Sequence, residues 1–181
     1  YTADRTFNDD VIYDCIQVLL EAHQTLGHDR YREAAIKGMD FYLRSQLPAP
    51  QAGWAQQYDA DLKPAWGRPF EIDTVATTQT VGNILNLFEF YEITGDLRYL
   101  DPIPAALDWL DSARLPDAEG YTHTNFYEMG SNRPVYIKQT GTDISDVAYA
   151  KTYKKEGCYP YAHEVTINID HYRKEHARLV A

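Results

Sequence analysis

Apolar residues recur at every third and fourth position over residues 9–26, where Val11, Ile12, Cys15, Ile16, Leu19, Leu20 and His23 share one helix face. Asp9 and Asp10 suit the positive end of that helix, with Thr6 or Asn8 as its cap, and Gly27 ends it. A second in-phase set, Tyr31, Ala34, Ala35, Gly38, Phe41, Tyr42 and Leu43, predicts a helix over 29–47, stopped by Pro48 and Pro50. Further helices are predicted over 75–94 and 104–113. Between the pairs lies an irregular stretch, 51–73, in which Trp54, Tyr58, Trp66 and Phe70 stand among Gly, Pro and charges.

The helix pairs repeat. Leu26-Gly27-His28-Asp29-Arg30-Tyr31 aligns with Thr94-Gly95-Asp96-Leu97-Arg98-Tyr99 at an offset of 68 (95 minus 27), and Met39-Asp40-Phe41 aligns with Leu107-Asp108-Trp109. One pair cannot bury its own inner face, so such hairpins stack or close into a ring. Residues 121–141 instead alternate polar with aromatic or β-branched residues and predict a hairpin turning at Gly130-Ser131-Asn132. A short helix is predicted over 144–156 and a terminal one over Ile169–Val180. The expected fold is all-α, an α/α-hairpin repeat or (α/α) toroid with one short β-hairpin, in a single domain over 1–181.

Composition narrows the partners. The 44% of apolar residues suffice for a core, while a net charge of -10 disfavours nucleic acid and anionic membranes. No apolar run of about 18 residues is present to span a bilayer. No signal peptide is read, and a start at Tyr1 suits a processed or trimmed chain. Cys15 and Cys158 are left open as free thiols or a pair. An acidic chain handling an acidic polymer needs a local exception, a metal ion or an Arg/Lys cluster. Fifteen Tyr and three Trp suit either core packing or stacking on sugar rings.

Four segments carry candidate chemistry. Asn8-Asp9-Asp10 is either a cap or a source of carboxylates for Ca2+. Gly53-Trp54-Ala55-Gln56-Gln57-Tyr58-Asp59 joins a stacking plane, amides and a carboxylate in a long loop, where function concentrates. Arg68, between Gly67 and Pro69, can pair with Glu71 or grip a substrate carboxylate in bidentate fashion. Arg133 and Lys138 place cations on the hairpin rather than on a helix face. The six His give no helical metal pair, and no HExxH, P-loop, GxGxxG or GxSxG motif occurs.

Taken in order, Thr6 to Asp10, Lys37 to Gln46, Trp54 to Asp59, Leu62 to Ala65, Gly67 to Glu71, and Phe126-Tyr127-Glu128 with Asn132-Arg133-Pro134 resemble the family 10 pectate lyases. The resemblance runs nearly from end to end. It implies a toroid with a polygalacturonate groove, Ca2+ bridging protein and substrate carboxylates, and cleavage by β-elimination. Carried over, Asp9, Asp10 and Asp59 are the Ca2+ candidates, and Arg68, Arg133 and Lys138 the catalytic ones. Trp54, Gln57, Tyr58, Trp66, Asn125 and Tyr127 are the substrate-binding candidates. Three positions depart from the family. Asn125 stands where it has Arg; Lys138 and Gln139 replace a segment holding its basic Arg; and Ile72 to Val75 replaces a Ser-rich run. Family domains are also longer at the N-terminus, so first helices are expected to be missing here. The expected partner is an acidic polysaccharide, for a secreted or periplasmic monomer. Two alternatives stay open: a non-catalytic acidic-glycan binder, and an uronyl hydrolase using Asp40 and Asp108 as its carboxylates.

Overall fold

The computed structural model describes residues 5–116, 120–140, 148–158 and 164–181. Five α-helices are found among them: α1 (Val11–Leu26), α2 (Asp29–Ser45), α3 (Thr77–Thr94), α4 (Ile103–Ser112) and α5 (Ile169–Val180). Eight strands accompany them: β1 (Arg5–Thr6), β2 (Gln57–Tyr58), β3 (Val75–Ala76), β4 (His123–Thr124), β5 (Phe126–Tyr127), β6 (Pro134–Thr140), β7 (Ala148–Thr152) and β8 (Glu164–Val165).

The repeat turn is real. Gly27 and Gly95 both adopt φ +69° and donate to the carbonyls of His23 and Tyr91, the left-handed stop that only glycine takes without strain. α1 lies close on α2 because Gly38 has no Cβ; an added one would stand 2.7 Å from Ile16 Cγ1.

The all-α expectation fails, however. The strands form three antiparallel sheets, β1-β2, β3-β5-β6-β7 and β4-β8, so the fold is mixed and the helical hairpins do not extend into an (α/α) toroid. The cause lies in the connections. The stretch between α2 and α3 satisfies its buried backbone by pairing β2 with β1 and β3 with β5, and by a bridge from Trp54 to Ala76. The helix predicted over 144–156 is overturned as well. Residues 144–147 lie outside the described residues, but 148–152 form β7, pairing with β6 from Tyr136↔Thr152 to Thr140↔Ala148. Alternation decides there. Ile137 and Lys151 stand opposite each other on one face, Lys138 and Ala150 on the other.

The main core is aromatic. Trp54, Trp109, Tyr42, Tyr58, Tyr99 and Phe90 are all less than 2% exposed, with Phe7–Tyr42 and Tyr42–Phe90 in edge-to-face contact at 4.7 and 4.9 Å. A second, smaller cluster of Ile72, Ala76, Phe126, Val135 and Ile137, with Phe70 and Tyr149 against it, lies under the four-stranded sheet.

Candidate functional site

Pairing of β1 with β2 sets Thr6 opposite Gln57 and so brings the N-terminal acidic segment to the 67–71 loop. Phe7, 3% exposed, anchors the segment in the core. Asn8 then donates to Glu71 Oε1 at 2.5 Å, and Gln57 Nε2 to Glu71 Oε2 at 3.0 Å. Glu71 is completely buried. Its remaining capacity is taken by Arg68, through the backbone N–H to Oε2 at 2.9 Å and through Nε to Oε1, with Nη2 also against the carboxylate. Gly67 makes room: a Cβ there would fall 2.7 Å from Glu71 Oε2. Arg68 is thus a guanidinium fixed from behind by a buried carboxylate, with its side chain 35% exposed. Its outer nitrogen Nη2 pairs with Asp9 at 2.8 Å, and that carboxylate is 63% exposed. Gln56 and Gln57 each keep one buried amide oxygen with no protein donor among the described residues, an acceptor that an internal water would satisfy.

The acidic pair is not a helix cap. Asp9 and Asp10 have φ of 54° and 55°, and the Asp10 side chain makes no capping bond to α1. Left-handed backbone at two successive non-glycine residues costs about 1–2 kcal/mol each, least for Asp and Asn. The anchors at Phe7 and Asn8 on one side and α1 on the other hold it. Asp59 lies elsewhere in function. Its Oδ1 accepts from the backbone N–H of Asp61 and of Lys63, both at 2.9 Å, closing its own turn, and Arg5 bonds its carbonyl. Among the described residues no group of three or more His, Cys, Asp and Glu is placed to hold a metal ion. Arg68 already fills the cationic position between Asp9 and Glu71, and a Ca2+ beside it would be repelled. The three carboxylates named for Ca2+ are therefore not gathered into one group among the described residues.

The other named residues separate into interior and surface. Trp54, Gln57 and Tyr58 are fully buried, and Asn125 and Tyr127 are 1% exposed. Their polar atoms serve the fold. Trp54 Nε1 donates to the Tyr42 carbonyl, Asn125 Oδ1 accepts from Thr78 N–H and hydroxyl at the start of α3, and Tyr127 donates to the Ala113 carbonyl. Burial pushes the Tyr127 phenol up to about 12, so it holds its proton at neutral pH. Trp66, at 40% exposed, is on the surface, its Nε1 fixed on the Pro69 carbonyl at 3.1 Å. Arg133 stacks on the Tyr153 ring, 3.7 Å from its centroid. Asp40 takes the Tyr99 hydroxyl and faces Arg98, while Asp108 binds Arg173 of α5; each ties helices together.

Lys138 is exposed on β6 and near Cys158. It points to the sheet face opposite that of Val135, Ile137 and Lys151. The sheet therefore divides the three catalytic candidates: Arg68, stacked on Phe70 at 5.3 Å, and Arg133 belong with the Lys151 face, and Lys138 with the other. Lys151 and Tyr153 went unnoticed because 144–156 reads as helical, although the alternation Tyr149, Lys151, Tyr153 is itself a strand signal.

No family model matches this sequence, and no curated protein matches it. Among solved structures the chain is similar to the family 10 polysaccharide lyase from Cellvibrio cellulosa, at 21% identity and a TM-score of 0.57. The match covers 73% of this chain and 50% of that one, so the chain spans half the length of the lyase structure. At this identity the likeness is one of fold alone.

Proposed function

We propose that this protein acts on an acidic polysaccharide, as a pectate-lyase-like enzyme for polygalacturonate or a related uronate polymer. The observation that carries the reading is the geometry of Arg68. Removing a proton next to a carboxylate requires that carboxylate to be neutralised, and a guanidinium fixed in advance does so without reorganising. Of the acids that pair with Arg68 among the described residues, Glu71 is buried and cannot leave. Asp9 is exposed, and an exposed pair is worth only about 0–1 kcal/mol. A uronate carboxylate reaching Nη2 would displace Asp9 and take its place, so Asp9 stands in for the substrate.

The assay is incubation with polygalacturonate, with and without added Ca2+, from neutral to alkaline pH, following the absorbance of unsaturated products. A rise that is lost in Arg68→Ala supports the lyase. One observation favours a second reading, binding without cleavage: Lys138, the candidate base, lies across the sheet from Arg68 and Arg133. Retention of the protein by polygalacturonate with no new absorbance under any condition would select it.

A further inference from the structure

We infer that the surface along the edge strand β7 is a binding track for a uronate oligosaccharide, formed by Trp66 and Lys151 in its middle and Tyr153 with Arg133 at one end. The inference rests on the acidic-polysaccharide reading above and names the surface that such a chain would follow.

β7 supplies the spacing. Tyr149 and Lys151 share one face, alternate residues lying about 6.6–6.8 Å apart, and Tyr153 continues the series just past the strand end. Each position meets an aromatic or cationic partner from another segment. Lys151 Nζ stands 5.8 Å from the Trp66 ring centroid and is held by Asp73 at 2.6 Å. Arg133 sits over the Tyr153 ring, whose hydroxyl donates to Glu128. Glu128 also accepts from Ser131, and the hydrogen bonds from Ser131 and Tyr153, with smaller help from the charges of Arg133 and Lys151, hold its carboxyl below the usual range. Trp66 and Tyr153 are each 40% exposed, so both offer ring surface to solvent. Among the described residues Arg133 makes no ion pair, which leaves its fork edge available to a carboxylate.

The arrangement fits a uronate chain better than a bare polyanion. Rings beside fixed cations match a polymer that presents an apolar sugar face and a carboxylate on every unit, whereas phosphate chains would use the charge alone. Asp73 and Glu128 keep the surface near neutrality, so binding needs stacking as well as charge.

The test is isothermal titration with an oligogalacturonate, its carboxyl-reduced neutral counterpart and inorganic polyphosphate as probes. Wild type, Lys151→Gln, Trp66→Ala and Arg68→Lys are compared, with thermal midpoints measured in parallel. Lys151→Gln removes the charge but keeps a polar side chain beside Asp73, and the thermal midpoints show whether it or Trp66→Ala disturbs the fold. The expected result is binding of the uronate oligomer alone, weakened about tenfold by Lys151→Gln, the size of one charge-assisted hydrogen bond. Equal binding of the neutral oligomer or of polyphosphate would overturn the ligand class. If Arg68→Lys loses binding while Lys151→Gln and Trp66→Ala match wild type, the track is overturned and the polysaccharide reading stands. If wild type binds no uronate at all, both fall together.

Discussion

Replacing Gly67 by Ala is expected to loosen the Arg68 site from beneath. The new methyl would lie 2.7 Å from Glu71 Oε2 and 2.7 Å from Gln57 Cδ, both fully buried side chains. The crowded oxygen is the one that accepts from Arg68 N–H at 2.9 Å and Gln57 Nε2 at 3.0 Å. Overpacking a filled site costs about 1–3 kcal/mol. Loss of one hydrogen bond to a charged acceptor costs about 1.5–3 kcal/mol. Partial relaxation makes these overlap, so the expected loss is about 3 kcal/mol, a fall of roughly 6–12 °C in melting midpoint for a chain of this size. The matched control is Gly82→Ala in α3, where the nearest atom to the new Cβ is 3.9 Å away. There the change is expected to stabilise by about 0.5–1 kcal/mol, as alanine does in an open helix interior. Both variants are measured by urea denaturation, and Gly67→Ala also for polygalacturonate binding, which should weaken as Arg68 loses its fixed backing. A Gly67→Ala protein within about 0.5 kcal/mol of wild type, beside a Gly82→Ala that behaves as expected, would refute a rigid Glu71 cradle.

His123 and Asn132 give two more tests. His123 is fully buried; the Leu110 carbonyl can only accept, so Nε2 carries the proton and Nδ1 takes the Thr122 hydroxyl. Burial holds its pKa below 6.5, so the unfolded chain binds the proton first and stability is lost as pH falls below about 6.5. That loss should appear in denaturation at pH values on either side and shrink in His123→Gln; an unchanged pH slope would remove His123 as its source. Asn132, at φ 58°, accepts from Trp109 Nε1 at 2.8 Å and Gln51 Nε2 at 2.9 Å. Asn132→Ala should cost about 2–3 kcal/mol through the orphaned indole and the strained backbone, and Asn132→Gly about 1 kcal/mol less. Equal losses in the two would show that the left-handed backbone plays no part.

What the sequence revealed divides by range of interaction. α1 to α5 and the Gly27 and Gly95 turns follow from local period and capping, so their positions could be read directly. The pairing of Arg68 with Glu71 was also within reach, since the two are three residues apart on a Gly-Pro-constrained loop. Of the sheets, only the β5–β6 hairpin was legible, Phe126↔Val135 and Tyr127↔Pro134 closing around the expected turn at Gly130-Ser131-Asn132. β1, β2 and β3 are two residues long, and their ladder partners lie 50 or more positions away, as in Arg5↔Tyr58 and Ala76↔Phe126. A two-residue strand has no period to detect. The same blindness explains the aromatic loop. Trp54 and Tyr58 look like a sugar platform in sequence, but strand pairing turns them into the core and leaves Trp66, seven residues after Asp59, as the exposed ring.

The net charge of -10 becomes intelligible once burial is considered. A polyanion is excluded by exposed carboxylates, and near the proposed site each acid is engaged in a different way. Glu71 is interior and locked to Arg68, Asp59 is folded into its own turn, Asp73 holds Lys151, and Glu128 is bonded by Ser131 and Tyr153. Their charges are spent on orienting cations and hydroxyls. Asp9 alone in this set combines a 63% exposed carboxylate with a contact to the outer edge of a guanidinium. Removing it therefore separates two roles. If Asp9 only braces the strained segment, Asp9→Asn destabilises the fold and leaves uronate affinity alone. If it holds the place of a substrate carboxylate, Asp9→Asn strengthens uronate binding, because the incoming group no longer has to displace a charge from Arg68.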